Sequence, residues 1–181
     1  EEFLDHGLWL HGRSLFDELI RVPLVVKFPG NRGAGTRVAG QVQGIDVVPT
    51  VLEAMGLPLP ADLGGQPLQR MLAGEVKPRP ALAEISHRGF VAHGVRTEED
   101  KYIRRFSPDD DELYFDLRRD PGEKTSIADG HPQRVRLLNA QAEAGMAPNP
   151  FRYVVRAAGA GRLALRLETR GWIEGVLATG L

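Results

Sequence analysis

The first thirteen residues hold the densest set of side chains able to do chemistry. Asp5-His6-Gly7 and His11-Gly12-Arg13 bring together two of the chain's five histidines and one arginine. An imidazole gains and loses a proton near neutral pH. A guanidinium stays charged and meets oxyanions with paired donors. An imidazole such as His11 could transfer a proton beside an anion, and Arg13 could offer the same anion a second cation. His11 could instead pack or cap locally, and Arg13 could be solvated at the start of a helix. His6, in its trio, orients the loop or ligates a metal. With only two donors close in sequence, the structural role is preferred for His6.

Other groups carry weaker signals. Gly30, Gly33 and Gly35 follow no G-x-x-x-x-G-K-[ST] pattern and precede no immediate helix, which makes them a surface turn and not a phosphate cradle. Asp109-Asp110-Asp111-Glu112 lacks the ligand spacing and glycine of an EF-hand and reads as a solvated acidic loop. His87 and His93, with Arg88 and Arg96, flank the edge of the expected site and could help read an anionic or sugar substrate; plain exposure is the alternative. Asp120-Pro121-Gly122-Glu123 has strong turn chemistry. Arg152, Arg156, Arg162, Arg166 and Arg170 form a basic stripe or an ordinary exposed strand face.

Elements must position these groups. Residues 1–13 form a loop. Ser14, with an acid three residues on, opens a short helix that Pro23 ends. Val22–Phe28 is a compact apolar run, rich in β-branched residues, and predicts a buried strand. Thr36–Val42 predicts a short exposed strand. Asp46 caps a helix that carries Val47, Val48, Val51, Leu52 and Met55 on one face and stops at Gly56. Residues 57–80 hold five prolines and read as a surface excursion. Strands are expected at Ala81–Ile85, Phe90–Arg96, Lys101–Phe106 and Glu112–Leu117, the middle two as a hairpin. Pro132–Met146 predicts a helix with Val135, Leu138 and Ala142 at helical spacing. Beyond a linker at 147–150, three β-like runs follow.

Composition sets outer bounds. The chain has 181 residues, 42% hydrophobic and 26% charged, with no cysteine. That is a globular composition without a thiolate nucleophile or disulfide. A net charge of −1 argues against a nucleic-acid partner held by bulk electrostatics. No apolar run is long enough to span a membrane. The chain opens on Glu1 without Met or signal peptide and ends at Leu181 just after a β-like run, so both ends read as cuts in a longer protein.

A series of segments resembles the later half of the type I sulfatases, arylsulfatase-like members of the alkaline phosphatase superfamily. The segments are Glu1-Glu2-Phe3, Asp5-His6-Gly7, His11 to Glu18, Arg21-Val22-Pro23-Leu24, Phe28-Pro29-Gly30, Ile45 to Leu52, Lys101-Tyr102, Leu113 to Leu117 and Asp120 to Glu123. Together they cover residues 1–145 in order and spacing. The resemblance implies an α/β fold: the C-terminal part of an alkaline-phosphatase-like sandwich, a mixed sheet plus helices, with a small antiparallel C-terminal subdomain. The expected divisions are 1–80 for the end of the catalytic α/β domain, 81–146 for the subdomain, and 147–181 for a linker and the start of a β module.

The resemblance also implies a sulfuric ester hydrolase that uses Ca²⁺ and a formylglycine nucleophile. The nucleophile and metal ligands are expected upstream of Glu1, so no residue here is a catalytic nucleophile or a metal ligand, and this chain alone is expected to be inactive. A sulfated small molecule or glycan is the expected partner, and a periplasmic or extracellular parent the expected setting. His11, Arg13 and His6 are the substrate-binding candidates, His11 as donor to the sulfuryl group or its leaving oxygen. Glu1 and Glu2 take a supporting role or form a fraying polar end. A phosphodiesterase or phosphoglycerol transferase of the same superfamily, or a non-catalytic binding protein, is the alternative.

Overall fold

The computed structural model describes residues 1–145 and three strands beyond them, 152–157, 163–168 and 176–177. It divides into two compact units, Glu1–Glu143 and Ala144–Leu181.

At the start, β1 (Glu2–Phe3) and β2 (Trp9–Leu10) pair antiparallel and close a small hairpin around residues 4–8. The short helix α1 (Asp17–Ile20) begins two residues later than a Ser14 cap predicts. Ser14 is not its cap, because the buried Ser14 hydroxyl donates instead to Glu2. The α1 amide of Asp17 donates to Glu123 Oε2 at 2.7 Å, so its cap comes from a distant turn.

The expected strands at 22–28 and 36–42 are absent. Residues 21–27 are unpaired and exposed, Val25 at 92%. Their apolar pattern suits a strand covered on both faces, but no described segment pairs with them. α2 (Val47–Ala54) falls where expected, and Gly56 follows it at φ +69°. Its buried side differs from the expected one. Val47, Val48, Val51 and Met55 are exposed, whereas Pro49 and Thr50 are buried. Thr50 decides this. Its hydroxyl donates to Asp46 O and accepts from Leu68 N–H, and its carbonyl accepts from Gln69 Nε2. These bonds hold α2 on α3 (Leu68–Leu72), a helix not anticipated in the proline-rich stretch.

From Ala81 the alternating pattern folds as a meander. β3 (Ala81–His87), β4 (Phe90–Arg96), β5 (Asp100–Ser107) and β6 (Asp111–Asp116) pair antiparallel in that order. α4 (Pro132–Gly145) follows. The pleat sends alternate residues to opposite faces. One face gathers Phe90, Ala92, Ile103, Phe115 and Leu117 with Leu15, and Phe16 and Ile20 pack on them. The other holds Val95, Tyr102 and Tyr114, while Val135, Leu138 and Ala142 form the buried side of α4. Polar side chains tie that layer: Tyr102 Oη donates to Glu112 Oε1 at 2.6 Å, and Arg134 Nε donates to Asp100 Oδ2 at 2.6 Å.

In the second unit, β7 (Arg152–Ala157), β8 (Leu163–Glu168) and β9 (Val176–Leu177) form an antiparallel sheet in that order. The arginine stripe expected there lies outside the described side chains. No helix among the described residues is long and apolar enough to cross a membrane.

Candidate functional site

The loop between β1 and α1 is built under strain. Leu4 and Leu10 adopt φ +71° and +72°, conformations that bulky L residues rarely take. Outliers of this kind collect at functional sites, where surrounding contacts must enforce them. Here the enforcing contacts are specific. Leu4 N–H donates to Leu8 O, and Phe3 N–H donates to Asp5 Oδ2. Lys124 Nζ reaches back to donate to Asp5 O at 2.6 Å.

His6 anchors the same loop from beneath. Its ring stacks on Phe16 with centroids 3.6 Å apart. Its Nε2 lies 3.1 Å from both Gly122 O and Glu123 O, two acceptors, so Nε2 carries the hydrogen. Nδ1 faces Glu18 Oε2 at 3.6 Å. These contacts tie the His6 ring to Phe16 and to the 122–123 backbone.

The turn that His6 grips is fixed by buried charge. Lys101 Nζ, with its side chain only 2% exposed, contacts Asp17 Oδ1 at 2.9 Å and Glu123 Oε1 at 2.7 Å. Arg96 adds a forked pair to Asp17, and its Nη1 donates to Gln41 Oε1. Burial pushes the Asp17 carboxyl up, but Arg96 and Lys101 outweigh it and hold it below the ordinary value. Burial dominates at Glu123 and raises it despite Lys101. Asp100 is lowered, because Arg134, Thr97 and Tyr114 together outweigh its burial.

These shifts set an acid limit. The ionised forms of Asp17 and Asp100 favour the folded chain above the ordinary Asp value of 3.8, and that contribution is lost as pH falls through their depressed folded values. Glu123 works in the opposite sense: its contribution is full below the ordinary Glu value of 4.5 and is lost as pH rises through its folded value. Calorimetry should show the melting temperature falling as pH drops from about 4 to about 2. Asp100→Asn should flatten that fall and lower stability at neutral pH. A slope unchanged by Asp100→Asn would contradict this account.

His11 sits at the rim, its side chain 73% exposed. Nδ1 lies 2.7 Å from Glu1 Oε1, and among the described residues Nε2 has no partner. Glu1 is thus a partner for His11, a pairing that ten residues of separation concealed in the sequence. Arg13 is exposed and makes no ion pair among the described residues. Between them, Gly12 takes φ +85°, and a Cβ there would come within 2.9 Å of His87 Cδ2. Only glycine lets this loop settle so closely on the end of β3.

The four residues expected at the site edge divide. His87 and Arg88 remain exposed beside the loop. His93 is buried, with Nε2 3.1 Å from Asn139 Oδ1 and its ring edge-on to Phe106. Arg96 is committed to Asp17. Sequence reading had no signal for the positive φ of Leu4 and Leu10, nor for the reach of the 120–124 turn.

Ca²⁺ takes six to eight oxygen ligands. Among the described residues no three His, Asp or Glu side chains group closely enough to hold a metal ion. The described donors do not form such a site.

The family described as N-sulphoglucosamine sulphohydrolase, C-terminal, matches residues 5–143. The N-acetylglucosamine-6-O-sulfatase of Bacteroides thetaiotaomicron is 26% identical over 133 residues, which cover 68% of this chain and 24% of that protein. The multifunctional alkaline phosphatase superfamily protein PehA of Trinickia caryophylli is 32% identical over 165 residues, covering 77% of this chain and 32% of that protein. The chain thus spans 24% and 32% of the length of these two relatives. The crystal structure of Ps i-CgsB in complex with k-i-k-neocarrahexaose shares the fold, with a TM-score of 0.54 at 18% identity over 64% of this chain and 26% of that one. With a match that runs through the His11 loop, the sheet beneath it and the turn that grips it, the chain belongs to the N-sulphoglucosamine sulphohydrolase C-terminal family, the C-terminal region of type I sulfatases.

Proposed function

We propose that this chain is the C-terminal part of a sulfate-ester hydrolase and that its His11 loop forms the leaving-group side of the active site. The observation that carries this reading is an exposed imidazole with one nitrogen held by a carboxylate and the other without a partner among the described residues, on a strained loop clamped to the turn after the four-stranded sheet.

In hydrolysis, an oxygen derived from water bonds to sulfur, and the bond from sulfur to the ester oxygen breaks. The ester oxygen leaves with the bond's electrons and needs a proton. His11 Nε2 supplies it, while Glu1 holds Nδ1 and stabilises the imidazolium before transfer. Arg13 offers charge to the sulfuryl oxygens. His6 does not meet substrate in this reading; it keeps the loop in place. The nucleophile belongs to a part of the protein outside residues 1–181.

The test is product analysis on the complete protein. Incubated with a sulfated glucosamine and, separately, with a phosphate diester, it should release inorganic sulfate from the first. Release of a phosphate monoester alone would replace this reading with phosphoryl transfer. Binding without any release would make the chain part of a non-catalytic binding protein.

A further inference from the structure

The β3–β4 turn has Arg88 and Gly89 as its two central residues, between the paired His87 and Phe90, at φ +48° and +82°. Both positive angles mark a type I′ hairpin, where Asn-Gly is preferred because larger L side chains resist this conformation. An arginine at the first position costs the fold stability, and such strain collects where a side chain is needed. The turn also adjoins the candidate site. His87 packs its ring on Gly12, the residue between His11 and Arg13. Consecutive Cα atoms are about 3.8 Å apart, so Arg13 and Arg88 each stand one residue from that contact. Both are exposed. His11, Arg13, His87 and Arg88, which carry or can accept positive charge, thus all lie at or next to the Gly12–His87 contact, and among the described residues the carboxylate paired with one of them is Glu1, on His11.

We propose that Arg88, supported by His87, forms a second anion subsite beside His11, which takes a further sulfate or carboxylate on the same sugar chain. The substrate is then a polyanionic glycan and not a singly sulfated ester. The choice of substrate rests on the proposed function; the test does not. A guanidinium meets either oxyanion through paired, charge-assisted hydrogen bonds, which a neutral turn residue cannot make.

Binding can be read without turnover. The complete protein is titrated calorimetrically with glucosamine 6-sulfate, with a disulfated glucosamine, and with a monosulfated disaccharide that carries one uronate, the binding heat being read before hydrolysis sets in. At least one dianion should bind about tenfold more tightly than the monosulfate. Arg88→Asn should abolish that difference, leave the monosulfate unchanged, and raise the melting temperature by about 2–4 °C as turn strain is released. Arg88→Lys should keep part of the preference. A loss confined to the disulfate identifies the second anion as sulfate, and one confined to the disaccharide identifies a carboxylate; either supports the subsite. An unchanged preference in Arg88→Asn, equal weakening of all three probes, no preference in the original chain, or unfolding of Arg88→Asn would each overturn it. If the dianions bind through Arg88 while the complete protein releases no sulfate, the proposed function fails and the subsite stands. Sulfate release with no Arg88 effect gives the reverse.

Discussion

Replacing Lys101 with methionine should cost about 3–5 kcal/mol of folding stability. The stem of the lysine is matched in volume, but two carboxyls lose the ammonium that lies 2.9 Å from Asp17 and 2.7 Å from Glu123. Both stay inside the protein, and Glu123 has no exposed side-chain surface. Removing one member of a buried ionic group leaves uncompensated charge, and this costs far more than the group contributes as a whole. A domain holds only about 5–15 kcal/mol in total, so a loss of this size is a large share of what keeps the variant folded. Urea denaturation with matched slopes measures the loss. Adding Glu123→Gln to Lys101→Met should recover part of it, because the second change removes one stranded carboxyl. A loss below about 1 kcal/mol would mean that water reaches the cluster and that the charges behave as a surface pair. Arg96 cannot replace Lys101, because its guanidinium is already bound to Asp17, Gln41 and the Thr97 carbonyl.

His11→Ala in the complete protein should lower kcat/KM by about 10²–10⁴-fold on a sugar sulfate. The loss should depend on the leaving group. A sugar alkoxide needs a proton as the bond to sulfur breaks, whereas a nitrophenolate leaves readily without one. The variant should therefore be much less impaired on nitrophenyl sulfate. Glu1→Gln should be milder and fall mainly on kcat, because the amide still reaches Nδ1 but cannot stabilise an imidazolium. Equal losses on both substrates would remove His11 from proton transfer and leave it a binding role. Intact activity would remove it from the site.

The order of strands and the closing helix could be read from the chain because each depends on neighbours close in sequence. Phe90 to Phe106 folds back on itself through one short turn, and Val135, Leu138 and Ala142 face a sheet already made. Elsewhere the apolar pattern was legible but its cover was not. Val22 to Phe28 and the Val47–Met55 face have the composition of buried elements, yet most of their apolar side chains stay exposed. Periodicity reports which side avoids water, not what shields it. The site divides along the same line. His11 and Arg13 stand out as chemically able residues in a short loop. The carboxylate on His11, the clamp through His6 and the Glu123 cap on α1 join residues too far apart for spacing to connect. α3 was hidden by its proline-rich surroundings, with Pro67 standing just before its first helical residue.

The clamp on the His11 loop also bears on the order in which the protein can mature. His6 and Asp5 are held by Gly122, Glu123 and Lys124, separated from them by 116 to 119 positions along the chain. Contacts of such long range form late, after the loop-closure entropy has been met by other pairings. During synthesis the loop leaves the ribosome long before its anchors exist. It can settle only once the four-stranded sheet and the turn after it have been made. A nascent chain halted before residue 120 would carry every side chain of the loop and still present His11 on an untethered segment.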